Sequence, residues 1–167
     1  MSDARLVLWE DERAVHIEPA ALTRPVAQLR TGLWTHRERW ERLFPERTLS
    51  LACRDYLVES ERARGDWVGV NEPPGDADTL FVSAAVGRPT PALLTAIRDL
   101  ESGRALLAQG RLVAARGSGP AADTLLGAVL EIVGEGPIPI APQRPDWPRL
   151  VEDAGFAVQD VAAPLPA

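Results

Sequence analysis

The chain contains no lysine: all eighteen of its basic residues are arginines. That excludes every mechanism built on a lysine amine, from Schiff-base catalysis to the phosphate-binding lysine of Walker-type loops. A bias of this kind reflects a GC-rich genome and carries no function by itself. The single cysteine, Cys53, excludes an internal disulfide, which suits a reducing compartment. The two histidines, His16 and His36, stand at no ligand spacing from it, so Cys53 reads as a small, buried, inert thiol. Glycine is missing from Met1 to Thr31, which removes the close backbone approach of a glycine-rich phosphate loop from that stretch. No apolar run reaches the roughly eighteen residues of a membrane span. The opening MSDARLVLWEDER has neither the basic start nor the long apolar core of a signal peptide. A net charge of −6 argues against a general basic field for nucleic acid. Together these absences predict a soluble, cytoplasmic protein with neither nucleic acid nor membrane as partner.

What is present is ordinary globular material: 167 residues, 46% hydrophobic and 25% charged, enough for one domain with a real core. Ala4–Trp9 is an almost continuously apolar run closed by Glu10, Asp11 and Glu12, which suits a buried parallel strand ending in a solvated acidic turn. A helix is expected over Leu33–Phe44 with Leu33, Trp40, Leu43 and Phe44 inward. Thr48–Ala52, Trp67–Val70 and Thr79–Ser83 read as strands, and Arg54–Arg64 as a polar helix ended by Gly65. Pro91–Leu100 reads as a helix capped by Thr90, and Ala105–Ala108 with Leu112–Ala115 as a hairpin. A buried amphipathic helix follows from Pro120. Pro137–Pro148 is proline-dense and expected to be extended, before a short helix over Asp146–Ala154 and a last strand at Phe156–Val161. The alternation predicts an α/β fold in three layers around a mostly parallel central sheet. Residues 1–161 form the expected domain and 162–167 a tail or truncation point.

The richest segment is Leu22–Glu41, LTRPVAQLRTGLWTHRERWE. Arg24, Arg30, Arg37 and Arg39 bring four guanidinium groups into it, a local excess suited to phosphate or carboxylate ligands. Arg37 falls one turn from Leu33 and Trp40, where a guanidinium needs a partner, either a structural carboxylate or a ligand. On charge alone, ordinary surface arginines at a helix N-terminus explain the segment better.

Leu22, Thr23, Arg24, Pro25, Val26, Ala27, Leu29, Arg30 and Gly32, followed by Arg37, Glu38, Trp40 and Glu41, resemble the signature of the GlmU-like sugar nucleotidyltransferase family. Softer similarities follow at Asp55-Tyr56-Leu57, Leu80-Phe81-Val82 and Gly110–Arg116, so the resemblance spans most of residues 4–116. It implies the N-terminal nucleotidyltransferase-like domain of such proteins, with a nucleotide-diphospho-sugar transferase-like (Rossmann-like) fold. The implied reaction joins a nucleoside triphosphate to a sugar 1-phosphate with release of pyrophosphate, assisted by magnesium held on carboxylates. It further implies Arg24 and Arg30 as catalytic phosphate clamps, and Thr23, Pro25, Gly32 and Arg37 as substrate-binding residues. The metal ligands stay unassigned. Relatives continue into a C-terminal left-handed β-helix, which makes such a domain, or a homo-oligomer, the implied partner.

Several departures accompany the resemblance. Val26 stands where the classical enzymes carry lysine after proline, and Ser83-Ala84-Ala85 stands where the family keeps an Asn-Gly turn. Asp76 and Asp78 precede the strand at its wrong end for a metal. Ser118, within Arg-Gly-Ser-Gly-Pro, reads as a turn before a helix and not as a nucleophile elbow. Two functions therefore remain: a nucleotidyltransferase domain with a degenerate site, or a non-catalytic nucleotide-binding, sugar-phosphate-binding or assembly domain of the same ancestry.

Overall fold

A computed structural model describes residues 3–17, 20–134, 136 and 144–161. Most of the proline-dense stretch expected to be extended, and the tail 162–167, lie outside the described residues. The core element is a six-stranded sheet in the order β4-β1-β5-β7-β6-β8. Its strands are β1 (Ala4–Trp9), β4 (Thr48–Ala52), β5 (Asp78–Ser83), β6 (Arg104–Ala108), β7 (Arg111–Gly117) and β8 (Ala157–Asp160). β1 pairs in parallel with β4 and β5, and β6 with β8, while β7 is antiparallel to both β5 and β6. One strand thus runs against the other five. The reversal follows from the β6–β7 hairpin, whose turn residues Gln109 and Gly110 have φ of 53° and 67°, the left-handed pair of a type I′ turn.

The strands read as unbroken apolar runs because both faces of the sheet are covered. Along β1, Leu6 and Leu8 enter a cluster with Trp40, Phe44, Leu93 and Ile97, whereas Val7 and Trp9 enter another with Leu125, Val129, Trp147 and Val151. Helices α1 (His36–Leu43), α2 (Val58–Arg64) and α3 (Pro91–Arg98) supply the first cover. Helices α4 (Gly119–Val133) and α5 (Trp147–Asp153) supply the second. Caps set several boundaries. Thr90 Oγ1 accepts the Leu93 N–H at 3.2 Å, and Gly65, at φ 72°, closes α2.

Four expectations need correction. The helix placed over Leu33–Phe44 begins only at His36, because Thr35 forms a capping box with Glu38: Thr35 Oγ1 accepts the Glu38 N–H at 3.1 Å and Glu38 Oε2 accepts the Thr35 N–H at 2.7 Å. Leu33, expected inward, is 82% exposed; it sits between β2 (Arg30–Thr31) and β3 (Trp34–Thr35), a two-stranded ribbon turned by Gly32 at φ 76°. The strand expected over Trp67–Val70 is an irregular segment beside β4, with one bridge, Leu51 to Val70. The acidic turn after β1 is not solvated: Glu10, Asp11 and Glu12 are all buried.

Candidate functional site at the carboxyl edge of the sheet

Ligands of open α/β sheets bind beyond the carboxyl ends of the strands, where loops from neighbouring strands diverge. Here the loops after β1, β4 and β5 meet through three buried carboxylates, each held by its own arginine. Glu10 Oε1 accepts the Val26 N–H at 2.8 Å and Arg54 Nη2 at 3.0 Å; Oε2 accepts the Arg54 backbone N–H and Nε, both at 3.1 Å. The two side chains are fully buried, and Arg54 Nη2 also donates to the Ala21 carbonyl at 2.6 Å. Next to them, the Tyr56 hydroxyl donates to the Leu22 carbonyl at 2.6 Å. The loop from Ala21 to Val26 is thus tied at both ends to the carboxyl ends of β1 and β4.

Asp11 performs the same service toward β5. Its Oδ1 accepts the Arg13 N–H at 2.9 Å, and its Oδ2 accepts Arg13 Nε at 2.9 Å and the Ser83 hydroxyl at 3.2 Å. Glu12 pairs with Arg111 at the start of β7, leaving its Oε2 buried without a partner among the described residues. The charges after β1 are therefore structural in their first contacts, and none of the three carboxylates is free of an arginine.

The sequence-predicted site residues are spread along this edge and do not form one cluster. Thr23 and Arg24 are exposed on the loop held by Glu10, and Arg24 makes no hydrogen bond or ion pair among the described residues. Pro25 is buried and opens the 3-10 turn Val26–Gln28, a supporting position rather than a contact surface. Arg30 and Gly32 lie on the β2–β3 ribbon, where Arg30 Nη1 donates to the Leu33 carbonyl at 3.3 Å. Arg37 turns toward the segment after α2: Nη2 and Nε donate to the Asp66 carbonyl at 3.0 and 3.3 Å, Glu41 lies 3.6 Å away, and the guanidinium stands 5.4 Å from the Trp67 ring. Its partners are structural. Arg39 bonds the Gly87 carbonyl and donates to the Thr31 carbonyl at 2.8 Å, joining the ribbon to the loop after β5.

His36 anchors the same loop. Its Nδ1 donates to the Ala84 carbonyl at 2.7 Å, which puts the ring proton on Nδ1, while Nε2 is buried without a partner among the described residues. Gly87 faces that nitrogen so closely that a Cβ there would fall 2.4 Å from it. Burial pushes the imidazole pKa below its usual value, and the neighbouring Arg39 adds to this. The unfolded chain takes up a proton near pH 6.5 that the folded chain refuses, so stability is full above that pH and falls as the pH drops from 6.5 toward the lowered folded value. Urea midpoints measured from pH 8 to pH 5 should decline through this window in wild type and flatten in His36→Asn. An equal slope in both would remove His36 from the account.

Cys53 is buried and its thiol pKa is raised, first by burial and then by Glu10 and Glu61. It is no nucleophile at neutral pH. Sequence reasoning missed Arg54, the residue on which the first loop depends. A charge placed directly after the apolar run of β4 was the available signal.

A family model described as "Sugar nucleotidyl transferase" matches residues 6–138, from β1 to just beyond α4. The chain belongs to the sugar nucleotidyl transferase family. No curated protein matches it. The match includes the carboxyl-edge loops and stops short of α5 and β8. Among the described residues, no helix is long and apolar enough to cross a membrane. Among the described residues no group of three histidine, cysteine, aspartate or glutamate side chains could hold a metal ion, and Glu10, Asp11 and Glu12 are each engaged by an arginine: Arg54, Arg13 and Arg111.

Proposed function

We propose that this chain is the nucleotidyltransferase-like domain of a GlmU-like protein, of the nucleotide-diphospho-sugar transferase-like (Rossmann-like) type, with a degenerate site. In this reading it binds a nucleoside triphosphate or a sugar 1-phosphate at the carboxyl edge and has lost magnesium-dependent pyrophosphate release. Its domain is residues 1–161, and a further domain or another copy of the chain supplies the assembly partner. The observation that carries the reading is the engagement of all three strand-end carboxylates by arginines. A divalent cation at Glu10 or Asp11 would have to displace a guanidinium from a buried carboxylate, which is strongly unfavourable, and the oxygen left without a partner among the described residues, Glu12 Oε2, supplies a single ligand. Arg24 supports retained binding, since an exposed guanidinium without a partner among the described residues, on a loop tied at both ends, is prepared for a phosphate at small entropic loss. In this reading Arg30 is a second phosphate contact, Thr23 and Gly32 line the approach, and Pro25 and Arg37 hold the scaffold.

Calorimetric titration with nucleoside triphosphates and sugar 1-phosphates, with and without magnesium, tests both halves. Binding to wild type that weakens at least tenfold in Arg24→Ala, with no pyrophosphate released at any magnesium concentration, is the expected result. Magnesium-dependent release would overturn the loss of catalysis. No heat from a folded sample with any of these ligands would overturn the phosphate site.

A further inference from the structure

The opposite, amino edge of the sheet holds a second concentration of guanidinium groups. Asp78, the first residue of β5, accepts Arg47 Nη2 at 2.7 Å and the Nε and Nη2 of Arg116 at 2.9 and 3.0 Å. Arg47 Nη1 also donates to the carbonyls of Arg5 and Asp78 at 3.0 and 2.8 Å, and Arg116 Nη1 donates to the Leu100 carbonyl at 3.1 Å. These bonds tie β1, β5 and β7 together where the parallel strands begin. They explain Arg47 and Arg116 as structure, and they hold the Asp78 carboxyl below its usual range, through Arg116 first and Arg47 next.

Arg98 is not explained this way. At the end of α3 it is exposed, donates only a long bond from Nη2 to the Leu43 carbonyl at 3.3 Å, stands 5.8 Å from the Phe44 ring, and has no carboxylate partner among the described residues. Arg47, Arg98 and Arg116 line one recess of about 470 Å³ whose apolar floor includes Phe44 and Ile97. Against these three cations stand Asp78 and Glu46; Glu46 is 3.9 Å from Arg47 and its side chain is mostly in solvent. The recess is therefore net positive in a chain whose total charge is −6.

We propose that this recess binds a compact phosphate-class oxyanion, with Arg98 closing on a ligand seated against the fixed guanidinium groups of Arg47 and Arg116. Arg47 and Arg116 each spend three of their five N–H groups on Asp78 and on backbone carbonyls; the two left on each are held in place, so little side-chain freedom is lost when they meet an anion's oxygens. The volume lies within the roughly 300–1,000 Å³ of small-ligand sites, which leaves room for a phosphate and a group esterified to it. The site is separate from the loop that bears Arg24, lying at the other end of the strands.

The test compares orthophosphate, a sugar 1-phosphate and chloride at equal ionic strength, by thermal shift and by calorimetry, on wild type, Arg98→Gln, Arg98→Lys and Arg24→Ala. Phosphate should raise the melting temperature beyond chloride in wild type and in Arg24→Ala. Affinity should fall about tenfold in Arg98→Gln, with Arg98→Lys between the two. Saturation of Arg24→Ala by orthophosphate identifies the free ion as ligand, and saturation by the sugar phosphate alone identifies a phosphomonoester; loss of either in Arg98→Gln supports the site. No effect beyond chloride, or binding lost in Arg24→Ala and kept in Arg98→Gln, would overturn it. Arg98 is exposed and outside the Asp78 network, so Arg98→Gln should keep the wild-type circular dichroism and be read as a binding variant.

Discussion

Arg54→Ala is expected to lower the unfolding free energy by about 3–5 kcal/mol, the usual result of leaving one half of a buried ion pair behind. Glu10 and Arg54 are both fully buried, so the substitution strands a carboxylate with no access to water, and it also strips the Ala21 carbonyl of its donor. Urea unfolding at pH 7.5 is the measurement. Glu10→Leu combined with Arg54→Met should recover much of the loss, because two apolar side chains of similar volume remove both charges together. The double variant would still lack the bonds to Val26 N–H and the Ala21 carbonyl. Its signature would be near-native stability with weakened phosphate binding, because Arg24 would ride on a released loop. A single-variant loss below about 1 kcal/mol would mean that the pair is solvated, and the clamp would have to be abandoned.

Trp147→Ala should be comparably severe, about 3–5 kcal/mol, as for other fully buried tryptophans cut to alanine. Trp147 is buried at the start of α5, and its ring centroid lies 5.0 Å from that of Trp9 at the end of β1. The family match ends at residue 138, yet the second apolar cluster includes Trp147, Val151 and Phe156. A chain cut after residue 138 should therefore lose cooperative thermal unfolding. If both the truncated chain and Trp147→Ala unfold like wild type, residues 144–161 are an appendage and the folded unit ends earlier.

Legibility in the sequence followed the range of the forces. Buried strands such as Leu80–Val82 declare themselves through composition alone, and caps such as Thr90 act over three residues, so both could be read locally. The start of α1 was missed because hydrophobic spacing from Leu33 competed with the Thr35–Glu38 capping box, and the cap prevailed while Leu33 turned outward. Glu10 looked like part of a wet acidic turn because its partner stands at Arg54, and no periodicity links the two positions. The arginines of the first loop illustrate the same limit. Their number suits anions as a class of chemistry, but only the contacts separate the exposed Arg24 from Arg37, which is occupied by Asp66, Glu41 and Trp67.

The rims of the sheet have a consequence for how the protein behaves in concentrated solution. β4 would present open backbone groups on its outer side, but residues 67–71 take them up: the Val68 N–H meets the Leu49 carbonyl at 2.8 Å, the Leu51 N–H the Gly69 carbonyl at 2.9 Å, and the Asn71 N–H the Leu51 carbonyl at 2.8 Å. At the other rim β6, apolar after Arg104, is covered by β8, a four-residue strand that ends in Gln159 and Asp160. An irregular segment on one side and a short polar strand on the other offer poor templates for a foreign strand. The apolar inner strands of the sheet are thereby kept out of reach of neighbouring molecules.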